Sequence, residues 1–356
     1  MAASSKLIPT PIFYGKRAWP GCPSIQQNWS LPNSIILYIA KNPSSSKVYQ
    51  ILVRTCKFFF ETNPIIITAY LDTCKNSTKY RISQNQNERR KCSQNNFECC
   101  IKIDLNMLST KIWITRGLYI QKRIQNSITT IVQKNFRFES FHLSVAENDI
   151  IFDDLKFLVS SAKRVFLFEN SIKYKNGSIV MLDNILGCLP TNIEIFWFDF
   201  GKDVPMVNAN ASTMKNILKL QNLENLKDFI MYNCPGTLSV EDLSVFLKKF
   251  ENTNIHFDFK SNISPEYKEQ LDYLIDTIIE SDVPNHFIAY DGQDAEKHGI
   301  MLSRFALNGL TPFNIPDEDE DGFDGENVPV VDETESDDGS TSCIAFLFNK
   351  IKNFFM

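Results

Sequence analysis

From residue 136 onward, short apolar runs rich in aromatic residues recur, and their spacing constrains the fold more than any other feature. They read FRFESFHLS (136–144), RVFLFEN (164–170), IEIFWFDF (193–200), LKDFIMYNC (226–234), NIHFDFK (254–260) and HFIAYD (286–291). With Phe141, Leu167, Phe196, Phe229 and Phe257 as centres, the steps are 26, 29, 33 and 28 residues. Helical patterns lie between the runs: DDLKFLVSSA, SIVMLDNILGCL, STMKNILKLQNL, SVEDLSVFLKKF and PEYKEQLDYLIDTIIE. One strand and one helix cannot cover their own apolar faces, so neighbouring units must stack and share a core. The 28 phenylalanines make that core unusually aromatic.

Two architectures alternate β and α in this way. A doubly wound sheet usually carries glycine-rich turns after its early strands, and the sequence has none. In NLENLKDFIMYNC, Leu223, Leu226 and Phe229 precede Asn233 or Cys234, which resembles the L-x-x-L-x-L-x-x-N/C pattern of leucine-rich repeats. The expected fold class is α/β (α+β over the whole chain), with a leucine-rich-repeat-like βα solenoid over 136–312. The doubly wound sheet stays open as the rival.

The N-terminal third is organised differently. Residues 1–29 are rich in Pro, Gly and Ser without a period and read as a flexible tail. In SLPNSIILYIAKNPSSSKVYQILVRTCKFFF (30–60), Leu31, Ile35, Ile36 and Ile39 share one helical face, with Ser30 as N-cap and Pro32 in the first turn. NPSSS breaks that helix, and Val48, Ile51, Leu52, Cys56 and Phe59 form a second face. A helical unit over 30–70 is too small to hold a core alone. A basic connecting region is expected over 71–135, with NQNERRKCSQNN as a polar loop.

Charge is segregated along the 356 residues. Residues 1–140 carry 20 Lys and Arg against 6 Asp and Glu, 141–316 carry 15 against 24, and 317–356 carry 2 against 12. Such blocks suggest modules with different partners. Residues 313–342 read as a disordered acidic tail. The last segment, 343–356, places Ile344, Leu347, Phe348, Ile351 and Phe355 on one face and is too short to span a bilayer. No run is long enough for a membrane span, and the start lacks the pattern of a signal peptide. The nine cysteines (22, 56, 74, 92, 99, 100, 188, 234, 343) are therefore expected as reduced, mostly buried thiols in a cytoplasmic or nuclear protein. The four Asn-x-Ser/Thr matches, at Asn28, Asn76, Asn176 and Asn210, read as accidental in an Asn-rich chain.

Catalysis is not expected. His142 and His256 fall in expected strands, and His286 and His298 form no metal motif with them. Cys92, Cys99 and Cys100 lack the paired spacing of zinc modules. Phosphate-binding and nucleophile-elbow motifs are absent. Asp153-Asp154 and Glu241-Asp242 open helices, where they favour the helix dipole. Arg89-Arg90-Lys91 reads as a solvated loop, with nucleic-acid contact or an import signal as alternatives. No cofactor, metal or nucleic acid is expected.

Residues 30–65 resemble the F-box, the helical module that binds the adaptor subunit of SCF ubiquitin ligases. Leu31-Pro32, Ile35, Ile36 and Ile39 match its start; Ile51, Leu52, Cys56, Lys57 and Phe59 match its close. Asn33 and Ser34 stand where an acidic residue is common, and Thr55 where Val is usual. An F-box ahead of a leucine-rich-repeat-like region is similar to a family of SCF substrate receptors greatly expanded in nematodes. The resemblance implies adaptor contacts at Leu31, Pro32, Ile35, Ile39, Leu52 and Cys56, a cullin scaffold reached through the adaptor, and a target protein on the repeats. The alternative is a non-catalytic repeat scaffold without a ligase link, in which 30–60 is only a cap.

Overall fold

A computed structural model describes residues 13–14, 17–18, 29–74, 78–94, 101–121, 127–201, 208–260, 262–281 and 283–307. The expected acidic tail and final apolar segment lie outside the described residues, as does most of the N-terminal tail. Its described residues include one antiparallel pair, β1 (Phe13–Tyr14) with β2 (Arg17–Ala18).

The first helices are α1 (Asn33–Lys41), α2 (Ser46–Thr55) and α3 (Lys57–Thr62). Pro32, not Ser30, is the N-cap of α1, because Pro supplies an extended backbone just before the first turn. Ser45 caps α2 by accepting from the Val48 amide at 3.2 Å. The second expected helix splits at Cys56, whose extended backbone ends α2 and starts α3. Ile36, Ala40 and Phe59 form a small core with Trp29, Leu52 and Phe58. Tyr49 ties this module to the rest of the chain: its hydroxyl donates to Asn63 O at 2.6 Å and accepts from Ile65 N at 3.1 Å. Its ring packs with Ile65 and Trp113.

The sheet starts at Ile65. Residues 71–135, expected as a basic connector, contribute strands to it. After β3 (Ile65–Thr73) come β4 (Tyr80–Ser83), α4 (Gln86–Gln94), β5 (Ile101–Ile103), β6 (Lys111–Gln121), α5 (Ser127–Lys134) and β7 (Asn135–Phe138). The Arg89-Arg90-Lys91 cluster thus lies on a helix rather than in a loop, and Asn85 Oδ1 accepts from the Glu88 amide to open that helix.

The repeats occupy the remainder: β8 (His142–Ala146), β9 (Asp149–Ile151), α6 (Phe152–Val159), β10 (Arg164–Phe168), β11 (Ser171–Lys173), α7 (Leu182–Gly187), β12 (Ile195–Asp199), α8 (Thr213–Ile217), β13 (Asp228–Cys234), α9 (Val240–Lys249), β14 (Asn254–Phe259), α10 (Pro265–Ser281), β15 (His286–Ala289) and α11 (Ala295–Leu307). Five of the six expected strands and all five expected helices form; the first, 136–144, is two strands, β7 and β8, with its expected centre Phe141 in the bend between them. The helix at 295–307 was not foreseen.

The large sheet runs β15-β14-β13-β12-β10-β8-β6-β3-β4-β5, with β7 also on β6. Every pairing from β3 to β15 is parallel, and only β4 and β5 are antiparallel. The parallel strands follow chain order without doubling back, so the sheet lacks the reversal that makes the crevice of a doubly wound fold. The protein is therefore a mixed α/β structure built on one large, mostly parallel sheet.

Period-two alternation assigns the faces. Leu143, Val145, Val165, Leu167, Phe196, Phe198, Phe229, Met231, Ile255 and Phe257 point to one side, where α6–α10 supply Leu155, Leu158, Leu182, Ile185, Met214, Leu243, Phe246 and Leu271 to a continuous core. Each such fully buried side chain contributes about 1.5–3 kcal/mol.

Buried asparagines satisfy the backbone where strands turn. Asn170 Nδ2 donates to Val145 O at 2.7 Å, and its Oδ1 accepts from Asn148 N at 3.0 Å. Asn148 Nδ2 donates to Ala146 O, and Asn208 Nδ2 to Val180 O, both at 2.6 Å. Replacing Asn170 by Ala leaves a buried N–H and a buried carbonyl unpaired and is expected to lower stability by about 2–4 kcal/mol. Urea unfolding checks this, with exposed Asn176→Ala as a near-neutral control.

Candidate functional site

Two surfaces stand outside the packing of α6–α10 on the sheet, the first exposed and the second built mostly of buried rings. The first lies on α1 and α2. Leu31 and Ile35 are 47% and 46% exposed, and Pro32 is exposed with them. Ile39, Leu52 and Cys56 are half-buried against the core of the module. The six expected contact residues are thus split: three face outward and three support them from beneath. Leu37, Tyr38, Val48 and Ile51 are exposed as well. Of these, Val48 and Ile51 belonged to the second apolar face in the sequence, and Leu37 and Tyr38 escaped the three-four pattern.

The second surface is the side of the sheet opposite α6–α10. Strand register sets its rows. One row runs Tyr119, Ser144, Phe166, Trp197, Ile230, His256, Phe287, one residue from each strand between β6 and β15. A second, toward the C-terminal ends of the strands, runs Gln121, Ala146, Phe168, Asp199, Tyr232. Rings touch from strand to strand. Tyr119 and His142 lie 4.6 Å apart, His142 and Phe166 stack at 4.8 Å, and Phe166 meets Trp197 at 5.1 Å. Tyr232 meets His256 at 5.1 Å, and His256 meets Phe287 at 4.8 Å. Edge-on and offset contacts of this kind add about 0.5–1.5 kcal/mol each beyond their burial.

The ladder ends on a helix at both sides. Arg89 of α4 lies 3.6 Å from the Tyr119 ring centroid and 5.2 Å from that of Tyr70, and pairs with Asp72 at 3.1 Å. Gly117 makes room there, since a Cβ would come within 2.7 Å of Tyr119 and 2.9 Å of Tyr70. At the other end, Phe305 of α11 lies 5.7 Å from Phe287 and 6.0 Å from His256.

The ionisable groups are tuned for packing. Burial lowers both His142 and His256 to about 3, helped by Arg89 and Arg164 at the first and by His298 at the second. Both imidazoles are neutral at pH 7. Burial pushes the Cys188 thiol up to about 11 and raises Cys74 and Cys234 as well, so these sulfurs stay protonated and weakly nucleophilic. Among the described residues, no group of three His, Cys, Asp or Glu side chains could hold a metal ion. Cys92, buried on α4, departs from the expectation of reduced thiols: it is disulfide-bonded. Cys56, Cys74, Cys188 and Cys234 are free. No described helix is long and apolar enough to cross a membrane. Chemically, the first surface is apolar and exposed, and the second combines mostly buried rings with half-exposed Asp199 at the strand ends.

Neither a protein-family model nor any curated protein sequence matches the chain.

A histidine held neutral by burial contributes stability above its unfolded value near 6.5, and this is lost as pH falls toward the folded value of about 3. Between pH 6 and pH 4, His256→Phe is expected to flatten the fall in stability by up to about 1.4 kcal/mol per pH unit. Denaturant titrations across that window, compared with the unsubstituted chain, measure the slope.

Proposed function

We propose that this chain is the substrate-recognition subunit of an SCF-type ubiquitin ligase. The α1–α3 module docks the adaptor subunit, through which the cullin scaffold is reached, and the side of the sheet opposite α6–α10 holds a target protein. The observation that carries this reading is the outward apolar surface of an anchored module. Tyr49 fixes the module to Ile65 and Trp113, and Ile36, Ala40 and Phe59 fill its interior, yet Leu31, Ile35, Leu37, Val48 and Ile51 stay exposed. Exposed apolar side chains gathered on one small unit mark an interaction site. Leu31, Pro32 and Ile35 make direct contact in this reading, and Ile39, Leu52 and Cys56 hold the helices in place beneath them.

The sheet is read as a leucine-rich-repeat-like solenoid. Two features support that reading: the parallel strands follow chain order, and Asn148, Asn170 and Cys234 occupy the N/C position after Leu143-x-Val145, Val165-x-Leu167 and Phe229-x-Met231. All three are buried at the strand turns. Such a chain catalyses nothing; it raises the effective concentration of a target beside the ligase. Its place is the cytoplasm or nucleus, where that ligase acts. Arg89 is engaged with Asp72 and Tyr119, which argues against a phosphate-binding role for the basic cluster.

The second reading is a non-catalytic repeat scaffold without a ligase link. The contact of Tyr49 with Ile65 and Trp113 favours it, because a cap needs that anchor and nothing more. Pull-down with the adaptor subunit separates the two. Leu31→Ala/Pro32→Ala and Ile35→Glu are expected to recover at least tenfold less adaptor while retaining the circular dichroism of the unsubstituted chain. Equal recovery sinks the ligase reading.

A further inference from the structure

The exposed surface of α1 and α2 and the sequence of residues 308–356 match in three respects. The first is apolar pattern. Leu31, Ile35 and Tyr38 follow one another at four- and three-residue steps, and Val48 and Ile51 stand three apart on α2. Tyr38 is 69% exposed and Ile51 51%. Segment 343–356, which lies outside the described residues, carries a complementary stripe of Ile344, Leu347, Phe348, Ile351 and Phe355, again at three- and four-residue steps. An apolar face left in water on so small a module is an aggregation liability until something covers it.

The second match is charge. Residues 30–62 hold four Lys or Arg against one Glu. Lys41 and Arg54 are exposed in the last turns of α1 and α2, three residues beyond Tyr38 and Ile51 and so beside them on the helix surface. The apolar patch therefore has a basic rim. Residues 317–338, just ahead of the apolar segment, hold twelve Asp and Glu and no Lys or Arg.

The third is reach. From β15 to β3 the sheet order takes seven strand-to-strand steps. At about 4.8 Å each they cover about 34 Å. The module stands just beyond β3, tied to it where Tyr49 bonds Ile65. Residues 308–342 put 35 residues between α11 and the apolar segment. An unstructured connection of that length has a root-mean-square span of about 30–35 Å, and like charges extend it. Effective concentration is greatest when span and distance agree, and then lies in the millimolar range.

We propose that segment 343–356 folds back to lay its apolar stripe on the exposed face of α1 and α2, with the acids of 317–338 against Lys41 and Arg54, and so competes with the adaptor. The competition rests on the adaptor reading of this face; the cover does not. A second copy of the chain would have to exceed that local concentration to displace the segment. An anionic lipid surface is disfavoured as a site for the segment, because twelve carboxylates precede it.

The test replaces Tyr38 by photoreactive p-benzoylphenylalanine in the 356-residue chain. Illumination of a dilute sample and peptide mapping are expected to join position 38 to residues 343–356 of the same chain. The same replacement at Tyr273, 78% exposed on α10, is the control and is expected to give at least tenfold less of that product. Leu347→Asp/Phe348→Asp is expected to lower the product at position 38 at least tenfold. In pull-down it is expected to recover at least threefold more adaptor than the unsubstituted chain, with unchanged near-ultraviolet circular dichroism. No product at position 38, equal yield at position 273, equal yield in the Asp variant, or a product joining two chains overturns the proposal. Equal adaptor recovery by both chains overturns the competition. If the product forms and neither chain recovers adaptor, the ligase reading falls and the cover stands.

Discussion

The structure depends on hydrogen bonds that join one repeat to the next at the ends of the strands. Asn170 belongs to the turn after β10, yet it donates to Val145 at the end of β8 and accepts from the Asn148 amide. Backbone groups at these turns are buried, and an unmet one there costs more than a typical hydrogen bond returns. Once the side-chain amides close the turns, adjacent strands are fixed in register. The register then sends Leu143, Val165, Phe196 and Phe229 to one side and His142, Phe166, Trp197 and Ile230 to the other. Both the helix-covered core and the aromatic ladder are consequences of that alignment.

The faces do different work because their neighbours differ. On the side of α6–α10, aliphatic and phenylalanine side chains interlock with helices, and the packing is saturated. The other side is built from flat rings that shield one another laterally. That arrangement explains how two histidines sit buried among aromatics without becoming acids or bases. A charged imidazole would lose more hydration there than stacking against Phe166 or Phe287 could replace. Polar side chains lie mainly at the two ends of the strands, Arg164 and Asp228 at one and half-exposed Asp199 at the other.

Much of this was legible in the sequence because each strand and helix of residues 136–291 fits its own unit. The short apolar runs gave strand centres, and the intervening three-four patterns gave helices. What could not be read is where local signals are weak or relational. β3 (IIITAYLDT) and β6 (KIWITRGLYIQ) are apolar, but the polar, basic residues 75–98 between them hid their continuity, and β4 is only four residues long. The helix α4 reads as a loop because its face is made by Arg89, which packs as a cation over Tyr119 and so leaves no apolar stripe. The face rows were equally hidden, since IEIFWFDF is apolar on both sides and alternation cannot choose between them. Asn148 and Asn170 did carry a signal, the L-x-L-x-x-N spacing, but the substitution of Phe196-x-Phe198-x-x-Gly201 in the next unit broke the run. For the exposed surface of α1 and α2 the pattern separated the helices well. It could not separate Ile35, which faces out, from Ile36, which faces in, because both lie within one turn of the same apolar arc.

The N-terminal module and the sheet form a connected pair through a small number of contacts. Tyr49 stands at the junction, its hydroxyl bridging Asn63 and Ile65 while its ring packs on Trp113. Arg137 reinforces the joint, lying 4.9 Å from the Trp113 ring and donating to Ser44 O at 3.2 Å. These bonds join the helices to strands β3, β6 and β7, at one end of the aromatic ladder. For the receptor proposed above, which would hold a target near a ligase, that placement matters more than the affinity of either surface. A floppy joint would spread the target over a large volume and dilute its effective concentration, whereas a buried, hydrogen-bonded joint confines it. On that reading the module is part cap and part docking unit. Tyr49 and Val53 point inward to make the joint, and the outward turn that carries Leu31, Ile35 and Ile51 remains available to another chain.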